Sequence, residues 1–230
     1  MRKGVRRMDE AKEVKVEKHE LHNYGLGEEL ANSITHGIGA LLAIWGMVML
    51  IIAGARAHSG VKITSAALYG SSMILLYTIS CLYHALTAKK AKKVFRVLDH
   101  CMVYLLILGT YIPVTLVMIG GWKGWTLFGL VTACAVVGIT FTAVDMHRFK
   151  KLSMTLYITT GWLALLVIGV VVRVMTPGQI ACLVGGGLMY TGGVFFYRRK
   201  DVKWTHAIWH LFVLAGTILQ YFMVYGGYAL

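Results

Sequence analysis

A chain of 230 residues that is 57% hydrophobic and 14% charged, with a mean hydropathy of +0.67, is too apolar for one soluble domain; such domains run about half apolar and about a quarter charged. The excess has to face lipid. The same numbers exclude a disordered chain, a disulfide-stapled secreted module and a collagen-like repeat, and the formal net charge of +13 takes its meaning from where the charges fall.

Residues 1–28 mix Lys, Arg and Glu with few large apolar residues, which predicts a basic tail, solvated or at the membrane surface, and not a signal peptide. No folded module presents a basic face, so nucleic acid is not an expected partner. Beyond position 30 the charges leave seven uncharged stretches: 30–55, 63–88, 100–122, 124–144, 152–172, 174–197 and 204–230. Each is long enough to cross a hydrocarbon core of roughly 30 Å at about 1.5 Å per helical residue. None shows the strict alternation of a membrane barrel strand. The reading is an all-α membrane protein: a basic tail over 1–28, then a seven-helix transmembrane domain over 29–230.

Orientation follows from Lys and Arg, which cytoplasmic loops retain. The N-terminal segment and the second, fourth and sixth loops hold nineteen of the twenty-three; Arg56, Lys62, Lys123 and Arg173 hold the rest. This alternation predicts a cytoplasmic N-terminus and a C-terminus outside. The glycine-rich run 185–193 predicts close helix packing in the sixth span. Cys81, Cys101, Cys134 and Cys182 lie in apolar stretches, so no disulfide framework is expected.

Ionisable residues inside a membrane are costly and mark functional sites. Seven of the ten acidic residues precede position 30, leaving Asp99, Asp145 and Asp201 for the membrane body; Asp145 beside His147 and Arg148 reads as an interfacial ion pair. Five histidines fall in or at the edge of the stretches: His36, His84, His100, His206 and His210. With the topology above, His36 lies early in helix 1, His84 ends helix 2, Asp99 and His100 open helix 3, and His206 and His210 open helix 7. All approach the inner leaflet.

The spacings sharpen this convergence. His206 and His210 in HAIWH are i and i+4, so both project from one helical face and can bind one ion. Ser80 and His84 in SCLYH share that relation. Glu29, Asn32 and His36 in ELANSITH form a polar stripe at i, i+3, i+7. Two nitrogen ligands from helix 7 and a third from helix 2 match the catalytic type of zinc site, with an open fourth position. Calcium or magnesium would want several carboxylate and carbonyl oxygens, and this body has almost no carboxylates to give. Iron or manganese with Asp99 stays open, as do Cys81, Cys101 or His100 as replacement ligands.

ELANSITH, SCLYH, the Asp99 near the start of helix 3 and HAIWH, in this order, resemble the signature motifs of the hemolysin III family, the bacterial branch of the progestin and adiponectin receptor superfamily. The resemblance covers roughly residues 25–230. It implies seven helices with an intracellular N-terminus in the bacterial plasma membrane, and a zinc ion near the cytoplasmic side held by His84, His206 and His210. Asp99 would hold the water, Ser80 would line the same cavity, and Glu29, Asn32 and His36 would orient ligands and water. The related alkaline ceramidases point to hydrolysis of a lipid amide or ester, with Asp99 as general base and Ser80 as hydrogen-bond donor. Two other readings compete: a membrane-state sensor in which zinc only locks helices together, and a pore-forming cytolytic protein. The pore is disfavoured because no helix has a continuous polar face and the polar residues cluster at one side.

Overall fold

The computed structural model describes residues 24–199 and 201–229; the tail before position 24, with His19 and His22, lies outside the described residues. Seven helices are long and apolar enough to cross a membrane: α1 (Leu26–Arg56), α2 (Gly60–Ala85), α3 (Lys89–Ile119), α4 (Gly121–Asp145), α5 (Lys150–Val174), α6 (Pro177–Arg198) and α7 (Thr205–Tyr228). The order and number match the apolar stretches, and the described residues contain no strand. Among them the four cysteines are unpaired. The chain is therefore a seven-helix, all-α membrane protein.

Two starts differ from the expected ones. α1 begins at Leu26, which brings Glu29 into its first turn. α3 begins at Lys89, about three turns before the apolar stretch at 100, because Lys and Arg stems are good helix formers and can reach the polar boundary while their backbone stays helical. Asp99 and His100 thus lie well inside the helix and do not open it.

The buried face of α1 is Asn32, His36, Gly39, Ala43, Gly46, Leu50 and Gly54, a three- and four-residue spacing that keeps one side of a helix turned inward. In a bilayer, helix association relies on close van der Waals packing, and small residues permit it. Gly39 sits against the Tyr77 ring of α2 and Gly46 against Tyr221 of α7. The stripe that draws α2 and α7 onto α1 therefore carries Asn32 and His36 into the same interface. The glycines of α6 work likewise: Gly186 meets Gln220, and Gly193 meets Trp209 and Phe212, all of α7. The close packing expected for 185–193 is present.

Two helices are irregular. In α3, Pro113 is followed by a π-helical segment, Val114–Ile119; Pro113 removes one backbone donor, and the Thr115 hydroxyl donates to the Tyr111 carbonyl at 2.7 Å. α5 is broken by a 3-10 stretch, Leu163–Val167. Backbone groups freed inside a membrane need internal partners, and Tyr111 of α3 supplies two of them. Its hydroxyl donates to the Gly161 carbonyl and accepts from the Ala164 N–H, both at 2.9 Å. Tyr111→Phe leaves both groups unsatisfied; a loss of about 1–3 kcal/mol per buried group is expected. It is read as a lower Tm of the purified protein in detergent, with helicity at low temperature unchanged.

Candidate metal centre

Three imidazoles meet where α2 ends and α7 begins. His84, His206 and His210 are all buried, and one ring nitrogen from each lies within 4.8 Å of the others. The convergence follows from the local sequence. The four-residue spacing of HAIWH puts His206 and His210 on one face of α7, and His84 continues the buried face of α2 through Tyr69, Met73, Leu76, Tyr77 and Ser80.

Contacts from α1 decide which nitrogens face inward. His84 Nδ1 lies 2.6 Å from Glu29 Oε2; a carboxylate accepts, so Nδ1 carries the proton and the Nε2 lone pair is directed into the cluster. Lys92 Nζ holds the other carboxylate oxygen at 2.5 Å. The Asn32 side-chain amide lies 3.4 Å from the same imidazole nitrogen, behind the shorter Glu29 contact. His210 Nδ1 donates to the Asn32 backbone carbonyl at 3.2 Å, which fixes the same tautomer. His84 Nε2 and His206 Nε2 are 3.3 Å apart. Two lone pairs cannot face each other at that distance without a proton or a cation between them.

His36 stacks on His210 with ring centroids 3.6 Å apart and meets the edge of Tyr77. It touches the site through its ring face, while both of its nitrogens are buried without a hydrogen-bond partner. Asn32 Oδ1 and Ser80 Oγ are orphaned in the same way. Buried polar atoms nearly always have partners, and a cluster of exceptions around three histidines fits a site built for a polar guest. The donor set therefore could hold a metal ion.

The cysteines and His100 stand apart from this set. Cys81 Sγ lies 3.3 Å from Ser33 Oγ, and Cys101 packs toward the Ile139 carbonyl. His100 Nδ1 donates to the Arg96 carbonyl at 2.8 Å, and its Nε2 accepts from the Tyr197 hydroxyl at 3.0 Å, so neither nitrogen is available as a ligand. Asp99 Oδ2 lies 3.7 Å from His100 Nδ1, too long for a hydrogen bond. Asp99 and His206 line one cavity of about 160 Å³ between α3, α5, α6 and α7. It runs along Val103, Ile107 and Val184 to Ile180 and Val171 at its far end. Ser80 is not part of its lining. Asp145 Oδ1 accepts the backbone N–H groups of His147 and Arg148, closing the turn after α4.

Sequence reasoning missed Lys92, which α3 brings to Glu29 only because it starts early. It also missed Tyr24, whose ring stacks on His206 at a centroid distance of 4.9 Å. Burial pushes the Tyr24 phenol above its ordinary range, so it stays neutral beside the imidazoles. No local motif marks either contact.

Residues 24–221 match the family described as Haemolysin-III related. The chain belongs to the haemolysin III family. Within that family it is 40% identical over 197 residues to Hemolysin-3 of Bacillus cereus, covering 86% of this chain and 90% of the relative. It is 40% identical over 201 residues to the Hemolysin-3 homolog of Bacillus subtilis (strain 168), covering 87% and 94%. A more distant similarity, 26% over 206 residues and covering 86% and 83%, links this haemolysin III protein to the human monocyte to macrophage differentiation factor.

Proposed function

We propose that the protein is a zinc-dependent hydrolase of an amide or ester bond in a membrane lipid. The observation that carries this reading is the meeting of three buried imidazoles with an apolar cavity that has Asp99 and His206 at one end. His84, His206 and His210 would hold the metal, and the 3.3 Å between two of their nitrogens suits roughly the 3.3 Å edge of a tetrahedron with bonds of about 2.0–2.1 Å to zinc. Bound there, zinc supplies Lewis acidity, which acidifies water and polarises a carbonyl.

The remaining work falls to the chain. Glu29 and the Asn32 carbonyl hold two ligands in one tautomer, so no ligand has to reorient. Asp99 accepts the proton of the attacking water and returns it to the leaving group. Ser80, outside the cavity lining but with an unpartnered hydroxyl one turn from His84, donates a hydrogen bond to water at the histidines. The cavity walls receive part of an acyl chain and exclude water; its narrow volume suits a linear chain better than a ring system. The resemblance and the basic-loop count support a plasma-membrane protein with the histidine end, the tail over 1–28 and the basic loops on the cytoplasmic side of a seven-helix domain over 29–230. Purified protein given a panel of ceramides, phospholipids and other acyl lipids should release fatty acid, detected by mass spectrometry, in a manner abolished by chelation and restored by zinc. Release that survives complete zinc removal would refute the mechanism.

One observation favours a second reading. Glu29 and Asn32 tie α1 to both α2 and α7, so a metal there would lock three helices together. A sensor with a structural zinc predicts a Tm that falls on chelation, without turnover of any lipid. In either case Glu29→Ala should weaken zinc binding about 10–100-fold, the usual cost of losing a partner behind a ligand, measured by competition with a chromophoric chelator.

A further inference from the structure

The opposite end of the bundle carries a second recess, remote from the histidines. α4 and the last turns of α5 enclose a groove of about 420 Å³, within the roughly 300–1,000 Å³ typical of small-molecule sites. Its shape follows from the break in α5. After the 3-10 stretch, Ile168–Val174 packs against the π-helical end of α3, leaving a gap toward α4. Gly169 lines that gap and has nothing within 4 Å of where a Cβ would stand.

The lining combines two chemistries. Leu127, Leu130, Leu166 and Val170 form apolar walls, while Lys123 and Arg173 stand at the rim beside Trp122. Lys123 Nζ lies 5.6 Å from the centre of the Trp122 ring. The first turn of α4 has no side-chain cap, so its leading N–H groups add partial positive charge next to Lys123.

Among the described residues no Asp or Glu side chain balances these charges. Every Asp and Glu among the described residues (Glu28, Glu29, Asp99, Asp145 and Asp201) sits at the histidine end. Two of the four basic residues at the far end share one recess. An anion with an apolar tail satisfies both halves of it.

We propose that this groove binds an anionic phospholipid, with its phosphodiester between Lys123 and Arg173 and an acyl chain along Leu130 and Leu166. The assignment does not depend on the metal centre or on the reaction proposed there. Native mass spectrometry of the full chain in detergent, titrated with phosphatidylglycerol or phosphatidylcholine, tests it. Wild type should prefer phosphatidylglycerol. Lys123→Gln combined with Arg173→Gln should weaken it by about 30-fold, the expected effect of two basic side chains near an anionic lipid. Gly169→Leu fills the groove without touching either charge, and should weaken both lipids. Arg56→Gln, at the same end but outside the groove, should change nothing. Inorganic phosphate at millimolar concentration should not displace the lipid.

The proposal is overturned if the double variant binds phosphatidylglycerol like wild type, if Gly169→Leu has no effect, or if inorganic phosphate competes, which would make this a site for the free anion. The α-helical circular dichroism of the same samples reports folding independently of lipid and of any metal.

Discussion

Replacing His206 and His210 together by alanine is expected to take zinc from about one equivalent per chain to below about a tenth, since a lone imidazole cannot hold an ion that normally takes three or four protein ligands. The measurement is metal analysis of protein purified from zinc-supplemented cells. His210 is also held by Asn32 and stacked on His36, so its loss disturbs packing as well as coordination. His206 is the cleaner probe. His206→Gln should cost most of the zinc while the α-helical circular dichroism stays at its wild-type value. Because an ion that binds only the folded state stabilises it by mass action, Tm should rise with added zinc in wild type and stay flat in the double variant. Undiminished zinc in the double variant would remove the basis of the assignment.

Asp99→Asn is expected to lower lipid turnover by about 10²–10⁴-fold, the usual contribution of a positioned acid–base group, while zinc content remains at the wild-type level. The separation is physical. Asp99 lines the same cavity as His206 but is not one of the three clustered histidines, and asparagine keeps its size while losing the ability to take a proton. The effect should fall on kcat more than on KM, because the apolar walls proposed to receive the acyl chain are untouched. Turnover indifferent to Asp99 would reject it as the base; zinc lost along with turnover would make it a ligand instead.

Much of this architecture was legible because lipid imposes its rules locally. A span needs about 20 apolar residues, so seven of them could be counted from the gaps between charges. The few ionisable residues in those spans stood out against that background. Helical periodicity alone put His206 and His210 on one face, and set Glu29, Asn32 and His36 on the stripe that α1 turns inward. The gaps between charges misplace the start of α3, because a charged residue does not end a helix: Lys89 to Arg96 lie within it and carry Lys92 to Glu29. Gly161 and Gly169 flank the break in α5 at Leu163–Val167, but glycines recur in the unbroken α4 and α6 as well, so they do not mark it; Tyr111 of another helix satisfies the freed groups.

By itself, then, the sequence determined how many helices there are, which faces they bury and at which end the histidines gather, since each of these depends on neighbours within a turn or two. Tertiary structure decided the direction of the imidazole nitrogens. That choice depends on Glu29 reaching His84 across 55 positions and on the Asn32 carbonyl reaching His210 across 178. A side chain's tautomer is set by the group lying against its other nitrogen, and only the folded chain brings that group into place.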